Sequence, residues 1–230
     1  MTARPAPDAL GRIKGQLVVS CQAYPGEPMR VPAIMAAVAQ AVVQGGAQGV
    51  RAQGIDDLVA IRALVDVPLI GLVKRGSSGV FITPTVQDAV DCVAAGADIV
   101  ALDGTRRARP DRRALRDSIA AVHAAGGLVM ADCGSVADAE YSTEAGADCV
   151  GTTLAGYTGD RPRTSGPDLA LLDDLLLRVG RPVIAEGRIR HPDDAVQCMA
   201  AGAHAVVVGS AITHPTRITQ SFVHRLTLRD

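Results

Sequence analysis

Four stretches of the chain repeat nearly the same order of polar and apolar positions. They are Gln-Gly-Gly-Ala47-Gln-Gly-Val50, Ala-Ala-Gly-Ala97-Asp-Ile-Val100, Glu-Ala-Gly-Ala147-Asp-Cys-Val150 and Ala-Ala-Gly-Ala203-His-Ala-Val206. Each closes a segment of helical spacing on Gly-Ala and runs straight into a short apolar segment. A glycine just past a helix end supplies the left-handed residue that stops it, and the Val/Ile-rich run that follows reads as a buried strand. The glycines at 46, 96, 146 and 202 lie too far apart for one helix-plus-strand unit of roughly 25 to 35 residues, so each interval holds two. Four pairs make eight. The pattern predicts an α/β fold, a (β/α)8 barrel forming one domain over 1–230, with residues 1–14 as a flexible or helical lead-in.

The eight strands fall at Gln16–Cys21, Gln48–Ala52, Leu69–Val73, Asp98–Leu102, Leu128–Asp132, Cys149–Thr152, Val183–Ala185 and Ala205–Gly209. Helical spacing is clearest over Ile34–Val43, Gln87–Ala95, Leu115–Ala124 and Asp168–Val179. Several strands are continuous apolar runs, as parallel strands covered on both faces should be. The connections are asymmetric. Links into strands are minimal, whereas Gln22–Pro32, Lys74–Pro84, Asp103–Pro110 and Thr153–Pro167 leave strands as long polar loops. In such barrels the loops leaving the strands build the site.

Composition narrows the chemistry. With 48% hydrophobic residues, 230 residues can bury one large core, and a net charge of −1 gives no bulk attraction for nucleic acid. No apolar run approaches ~18 residues, so no membrane span is expected. The start, Met-Thr-Ala-Arg-Pro-Ala-Pro, lacks the apolar stretch of a signal peptide, and five cysteines without paired spacing read as reduced thiols, so the expected compartment is the cytoplasm. Of the 23 lysines and arginines, only Lys14 and Lys74 are lysines. Lys74 stands at the tip of the third strand, where a cation that can give up its proton differs in kind from an arginine.

Further candidates also sit at strand tips. Gly187 and Gly209 end strands seven and eight, where phosphate-binding barrels turn backbone N–H groups toward a phosphate; Arg188 can add a charge-assisted contact, or stand on the rim. Asp103, Asp132 and Glu186 are the tip carboxylates. Strands three and seven are four apart in a ring of eight, so Lys74 and Glu186 enter the mouth from opposite walls, with Asp132 between them. A neutral amine can remove a proton next to a carbonyl, provided that burial or a neighbouring cation such as Arg51 or Arg75 brings its pKa down. Glu186 can alternatively be a salt-bridge residue, and Asp103 a turn residue. The five histidines show no close pair of ligand spacing, so metal catalysis is not expected. Cys21 and Cys133 have no histidine on a neighbouring tip and read as packing.

The ordered tip motifs resemble the N-acylglucosamine-6-phosphate 2-epimerase family. They are Ser-Cys-Gln22-Ala-Tyr-Pro, Gly-Val-Arg51-Ala, Gly-Leu-Val-Lys74-Arg, Val-Ala-Leu-Asp103, Met-Ala-Asp132-Cys, Gly-Thr-Thr153-Leu-Ala-Gly156-Tyr157, Ile-Ala-Glu186-Gly-Arg and Val-Val-Gly209-Ser-Ala. The resemblance implies a metal-free, cofactor-free barrel that interconverts N-acetylmannosamine 6-phosphate and N-acetylglucosamine 6-phosphate. By motif, Lys74 abstracts the proton, with Glu186 and Asp132 as carboxylate partners. Gln22 and Arg51 hold the sugar and acetamido groups, with Asp103, Thr153 and Tyr157 as further substrate contacts. Gly187, Arg188, Gly209 and Ser210 hold the phosphate. The chain departs from the family pattern at Gly104, Ala155, Cys133-Gly134-Ser135 and His214. A class I aldolase that uses Lys74 as a Schiff base, and a phosphosugar-binding barrel without chemistry, both remain open on the residues alone. The apolar positions Phe222, Val223 and Leu226 in the helix-like end Thr213–Leu228 suggest a homodimer.

Overall fold

Eight short runs of Val, Ile, Leu and Ala cannot hide both faces unless the sheet closes on itself and is jacketed from outside. The computed structural model of the chain describes residues 8–227 and has this form. The strands are β1 (Leu17–Cys21), β2 (Gly49–Gln53), β3 (Leu69–Leu72), β4 (Ile99–Asp103), β5 (Leu128–Asp132), β6 (Cys149–Gly151), β7 (Val183–Glu186) and β8 (Ala205–Val208). All neighbours are parallel and β8 pairs with β1, giving a closed barrel in sequence order. Expected and observed strands agree to one or two residues at each end. β2, β4 and β7 run one residue further than expected and so carry Gln53, Asp103 and Glu186 within the strand. β3 stops at Leu72, leaving Val73 to the connection.

The helices are α1 (Ala9–Ile13), α2 (Pro32–Gln44), α3 (Ile55–Arg62), α4 (Val86–Ala94), α5 (Leu115–Ala124), α6 (Val136–Glu144), α7 (Leu169–Arg178), α8 (Pro192–Ala201), α9 (Ser210–Thr213) and α10 (Pro215–Thr227). The four repeated glycines do stop helices: Gly46, Gly96, Gly146 and Gly202 have φ of 104°, 100°, 107° and 110°, a conformation that side-chain-bearing residues adopt at a cost. Part of the lead-in lies outside the described residues; the rest carries the short helix α1. Asp8 caps α1 by accepting from Gly11 N at 2.9 Å, and Ala9 and Ile13 are buried among the barrel's inward-facing residues. α1 therefore closes the end of the barrel opposite the loops that leave the strands.

Alternation along each strand sorts the core into two clusters. Val19, Val50, Leu69, Val100, Val129, Val150, Val183 and Val206 point outward against the helices. Val18, Ile70, Leu72, Ile99, Met130, Ile184 and Val207 point inward and fill the lower barrel. The expected end helix is α10, preceded by the short helix α9, and none of the residues of α10 is buried; Leu228 lies outside the described residues. Cys21 and Cys133 are buried in the outer cluster, which bears out their reading as packing.

Candidate active site

One step beyond the apolar filling, the inward positions become charged. Arg51 of β2 is only 1% exposed, and its guanidinium crosses the mouth to meet two carboxylates. Nη1 and Nη2 donate to the two oxygens of Asp132 at 3.1 and 2.7 Å, and Nη1 also donates to Glu186 Oε2 at 2.6 Å. Thr153 Oγ1 lies 2.6 Å from Asp132 Oδ1, to which it donates, and 3.3 Å from Glu186 Oε2. Burial works against the charge on Arg51, but Asp132 and Glu186 outweigh it and hold its pKa up. The backbone of Glu186 is itself pinned, because Thr152 Oγ1 donates to its carbonyl at 2.9 Å and lies 3.0 Å from its N–H. Bidentate charge-assisted bonds of this kind fix orientation as well as supply energy.

Lys74 faces this group from the other side. It follows β3 and is held by a short antiparallel pairing with the returning loop, in which Thr83 N donates to Val73 O at 2.6 Å and Arg75 N to Phe81 O at 3.0 Å. Nζ donates to Gln22 Oε1 at 2.7 Å, and Gln22 Nε2 donates to Ser20 Oγ at 2.8 Å. The ring of Tyr24 lies 5.5 Å from Nζ. Burial and the nearby Arg51 charge bring the Lys74 pKa down to about 8, against a smaller upward pull from Glu186 and Asp132. Burial raises Glu186 to about 7; Asp132 adds to the shift, and Arg51 and Lys74 oppose it. An amine and a carboxyl group thus share one mouth with their pKa values brought together from opposite directions, an arrangement typical of proton-transfer sites. Arg51 is the neighbouring cation; Arg75 instead pairs with Asp88 at 2.6 Å. Glu186 is both a salt-bridge residue and a group with a strongly displaced pKa.

Other expected residues sit differently. Asp103 is fully buried, with its oxygens taken up by Thr105 and by Arg107 at 2.7 Å. Tyr157 is half exposed on the β6–α7 loop, stacked near Arg163 and Arg188. Arg188 donates to Ala155 O at 2.8 Å, to Thr164 Oγ1 at 2.9 Å and to Gly166 O at 3.0 Å, which makes it a fastener of that loop. Gly187, at φ 107°, and Gly209 lie where expected, at the ends of β7 and β8; a Cβ on Gly209 would come within 3.2 Å of Ser20 Cβ. Ser210 opens the short helix α9. His214 Nε2 stands 2.9 Å from Glu27 Oε1, its ring 5.4 Å from that of Tyr24. Among the described residues, no group of three or more His, Cys, Asp or Glu side chains is arranged to hold a metal ion.

Residues 35–227 match the family described as "Putative N-acetylmannosamine-6-phosphate epimerase", abbreviated NanE. The chain belongs to the NanE family. It is 55% identical over 216 residues to a Cutibacterium acnes protein named "Putative N-acetylmannosamine-6-phosphate 2-epimerase", covering 93% of this chain and 94% of that protein. A relative of the same name from Clostridioides difficile is 42% identical over 216 residues, covering 93% and 97%. Among solved structures, the N-acetylmannosamine-6-phosphate 2-epimerase from Clostridium perfringens superposes with a TM-score of 0.91 at 38% identity, covering 94% of this chain and 95% of that one. A thiamine phosphate pyrophosphorylase from Pyrococcus furiosus, with a TM-score of 0.61 at 19% identity, shares the fold alone. Sequence reasoning did not single out Tyr24, Ser20 or the Glu27–His214 contact in this NanE chain. Tyr24 and Glu27 lay within the loop assigned to the active face, but only the folded loop shows which of its side chains meets Lys74.

Proposed function

We propose that this NanE-family protein interconverts N-acetylmannosamine 6-phosphate and N-acetylglucosamine 6-phosphate by removing and returning the proton on C2 of the sugar. The observation that carries this reading is Lys74, lowered to about 8, facing Glu186, raised to about 7, across an Arg51–Asp132 pair. When the sugar ring opens, C1 becomes an aldehyde and the C2–H bond becomes acidic. Neutral Lys74 takes that proton, and the bonding electrons pass into an enolate whose charge rests on the C1 oxygen. Protonated Glu186 then delivers its proton to the opposite face of C2, which leaves an ammonium and a carboxylate. That pair is already set for the reverse reaction, and exchange with solvent restores the first state. Asp132 and Thr153 hold Arg51 and Glu186 in place, and Gln22 aims Lys74. Only proton transfers are involved, so no cofactor is required. The 6-phosphate is assigned to the backbone of Gly187, Gly209 and Ser210, with Arg188 shaping the loop beside it.

The decisive experiment is proton NMR with N-acetylmannosamine 6-phosphate in heavy water, on the protein and on Lys74→Ala. Growth of the gluco epimer with deuterium at C2, lost by a factor of about 10²–10⁴ in the variant, is the expected result. Binding without exchange at C2 would overturn the reading, and borohydride fixing the sugar to Lys74 would point to the aldolase instead.

The assembly is assigned as a homodimer. No residue of α10 is buried in the single chain, and Phe222, Val223 and Leu226 are exposed at 69%, 54% and 80% on one stretch of it. A second copy is the simplest cover for such a surface, and sedimentation of Leu226→Asp should show a shift toward monomer. The cytoplasm is the assigned compartment: the five cysteines are free and buried, and no helix among the described residues is long and apolar enough to cross a membrane.

A further inference from the structure

Between β4 and α5 the chain reads Thr-Arg106-Arg107-Ala-Arg109-Pro-Asp111-Arg112-Arg113, with five arginines against two aspartates if Asp103 is included. Both aspartates are already engaged. Asp103 is held by Thr105 and Arg107, and Asp111 accepts from Val86 N at 2.9 Å and Arg113 N at 3.0 Å. The remaining positive charge lines a cavity of about 270 Å³ between this loop, the start of α5 and Tyr141 of α6. Arg106 lies over the Tyr141 ring at 4.6 Å, while the guanidinium groups of Arg112 and Arg113 make no hydrogen bond among the described residues. Arg109 is the decisive member. It is 6% exposed; its Nη2 donates to the Asp103 carbonyl, but its Nη1 is enclosed with no acceptor among the described residues. Buried donors are nearly always paired, and a charged one left unmade is costly.

We propose that this pocket is a second phosphoryl-binding site, separate from the catalytic mouth. A phosphoryl oxygen supplies the acceptor that Arg109 Nη1 lacks, and converging guanidinium groups suit a tetrahedral oxyanion. The site is a cup with its one aromatic ring already covered by Arg106, which favours a small phosphorylated molecule over a stacked base. It is fixed in place: Gly104 N donates to Asp132 O at 2.8 Å and Ser142 Oγ to Gly104 O at 2.8 Å. β4 lies across the ring from β8, so the pocket is distinct from the phosphate position assigned above.

The test is a titration of the full chain followed through arginine Nε–Hε NMR signals, once with inorganic phosphate and once with N-acetylglucosamine 6-phosphate. Saturable shifts of Arg109, Arg112 and Arg113 are expected in the parent; in Arg112→Ser/Arg113→Ser the Arg109 shift should need about tenfold or more ligand while the rate of C2 exchange is unchanged. Both side chains are free of hydrogen bonds, so this variant should fold. A response to both ligands means that the phosphoryl group suffices, and a response to the sugar phosphate alone means that the sugar contributes; either supports the site. Shifts confined to the β7–β8 end, or an Arg109 titration equal in variant and parent, would overturn it. The readout is binding, so it stands or falls separately from the epimerase reading.

Discussion

The inside of this barrel has two layers built on the same strands, only two residues apart. Leu72 is followed two positions on by Lys74, Met130 by Asp132, Ile184 by Glu186, and Gly49 by Arg51. Two residues along a strand keep the side chain on the same face and move it about 6.6 Å. The lower layer is buried and apolar, and the upper holds a cation, two carboxylates and an amine. Met130 marks the border, with Arg51 Nη1 3.7 Å from its sulfur. The lower layer thus provides a floor of low polarity. That floor keeps water from screening the charges above it, and this is why Lys74 and Glu186 are displaced chiefly by burial. Stability and reactivity are separated along the barrel axis, and substitutions can test the separation.

The largest effect is expected from Arg51→Met. It fills much of the space but leaves Asp132 and Glu186 facing each other without their shared cation. Breaking a buried pair in this way costs roughly 3–5 kcal/mol of stability, visible in urea unfolding. It also removes the charge that helps lower Lys74, so the amine should titrate higher and C2 exchange should fall steeply. A variant as stable as the parent would show that the upper layer is not held together by this pair.

Leu72→Ala tests the other layer. Leu72 is fully buried within the barrel filling, and its truncation should cost about 2–5 kcal/mol. Turnover at low temperature should stay within a few-fold of the parent, because no group of the mouth is removed. If this substitution abolished turnover while leaving stability intact, the two layers would not be separable in the sense argued here.

These layers were unequally legible in the sequence. The floor lies within the continuous apolar runs that mark the strands, and the repeated Gly-Ala stops locate those strands within a residue or two. Lys74 stood out because lysine is so scarce in a chain otherwise served by arginine. Arg51 and Asp132 are 81 residues apart and three strands distant, and their bidentate contact depends on barrel curvature that no local pattern records. Arg188 shows the opposite case. Its position beside Gly187 read as a phosphate contact or a rim residue, and the β6–α7 loop folds back and takes hydrogen bonds from it. A strand tip can be read from sequence, but where a loop returns cannot.

The subtlest effect joins the two layers through pH. From ordinary values of 4.5 and 10.5, Glu186 rises to about 7 and Lys74 falls to about 8. Below about 7 both groups hold protons and the ammonium cannot accept one; above about 8 both have lost them and no acid remains. A two-base mechanism therefore predicts a bell-shaped kcat/KM peaking between these values, which belong to the pair rather than to either residue. If Lys74 serves both faces alone, the rate instead rises through about 8 and stays level. Stability should run the other way. A raised carboxyl pKa contributes stability that is full below about 4.5 and lost as the pH climbs through 7. A lowered amine pKa makes the folded state gain stability only as the pH climbs from 8 toward 10.5. Both terms leave the protein least stable between about 7 and 8, where the two-base rate is greatest. Urea midpoints across this range, compared between the parent and Glu186→Gln, isolate the carboxyl contribution. Loss of the falling limb between 4.5 and 7 in the variant is the expected result, and an unchanged curve would mean that the low-polarity floor does not act on Glu186 as argued.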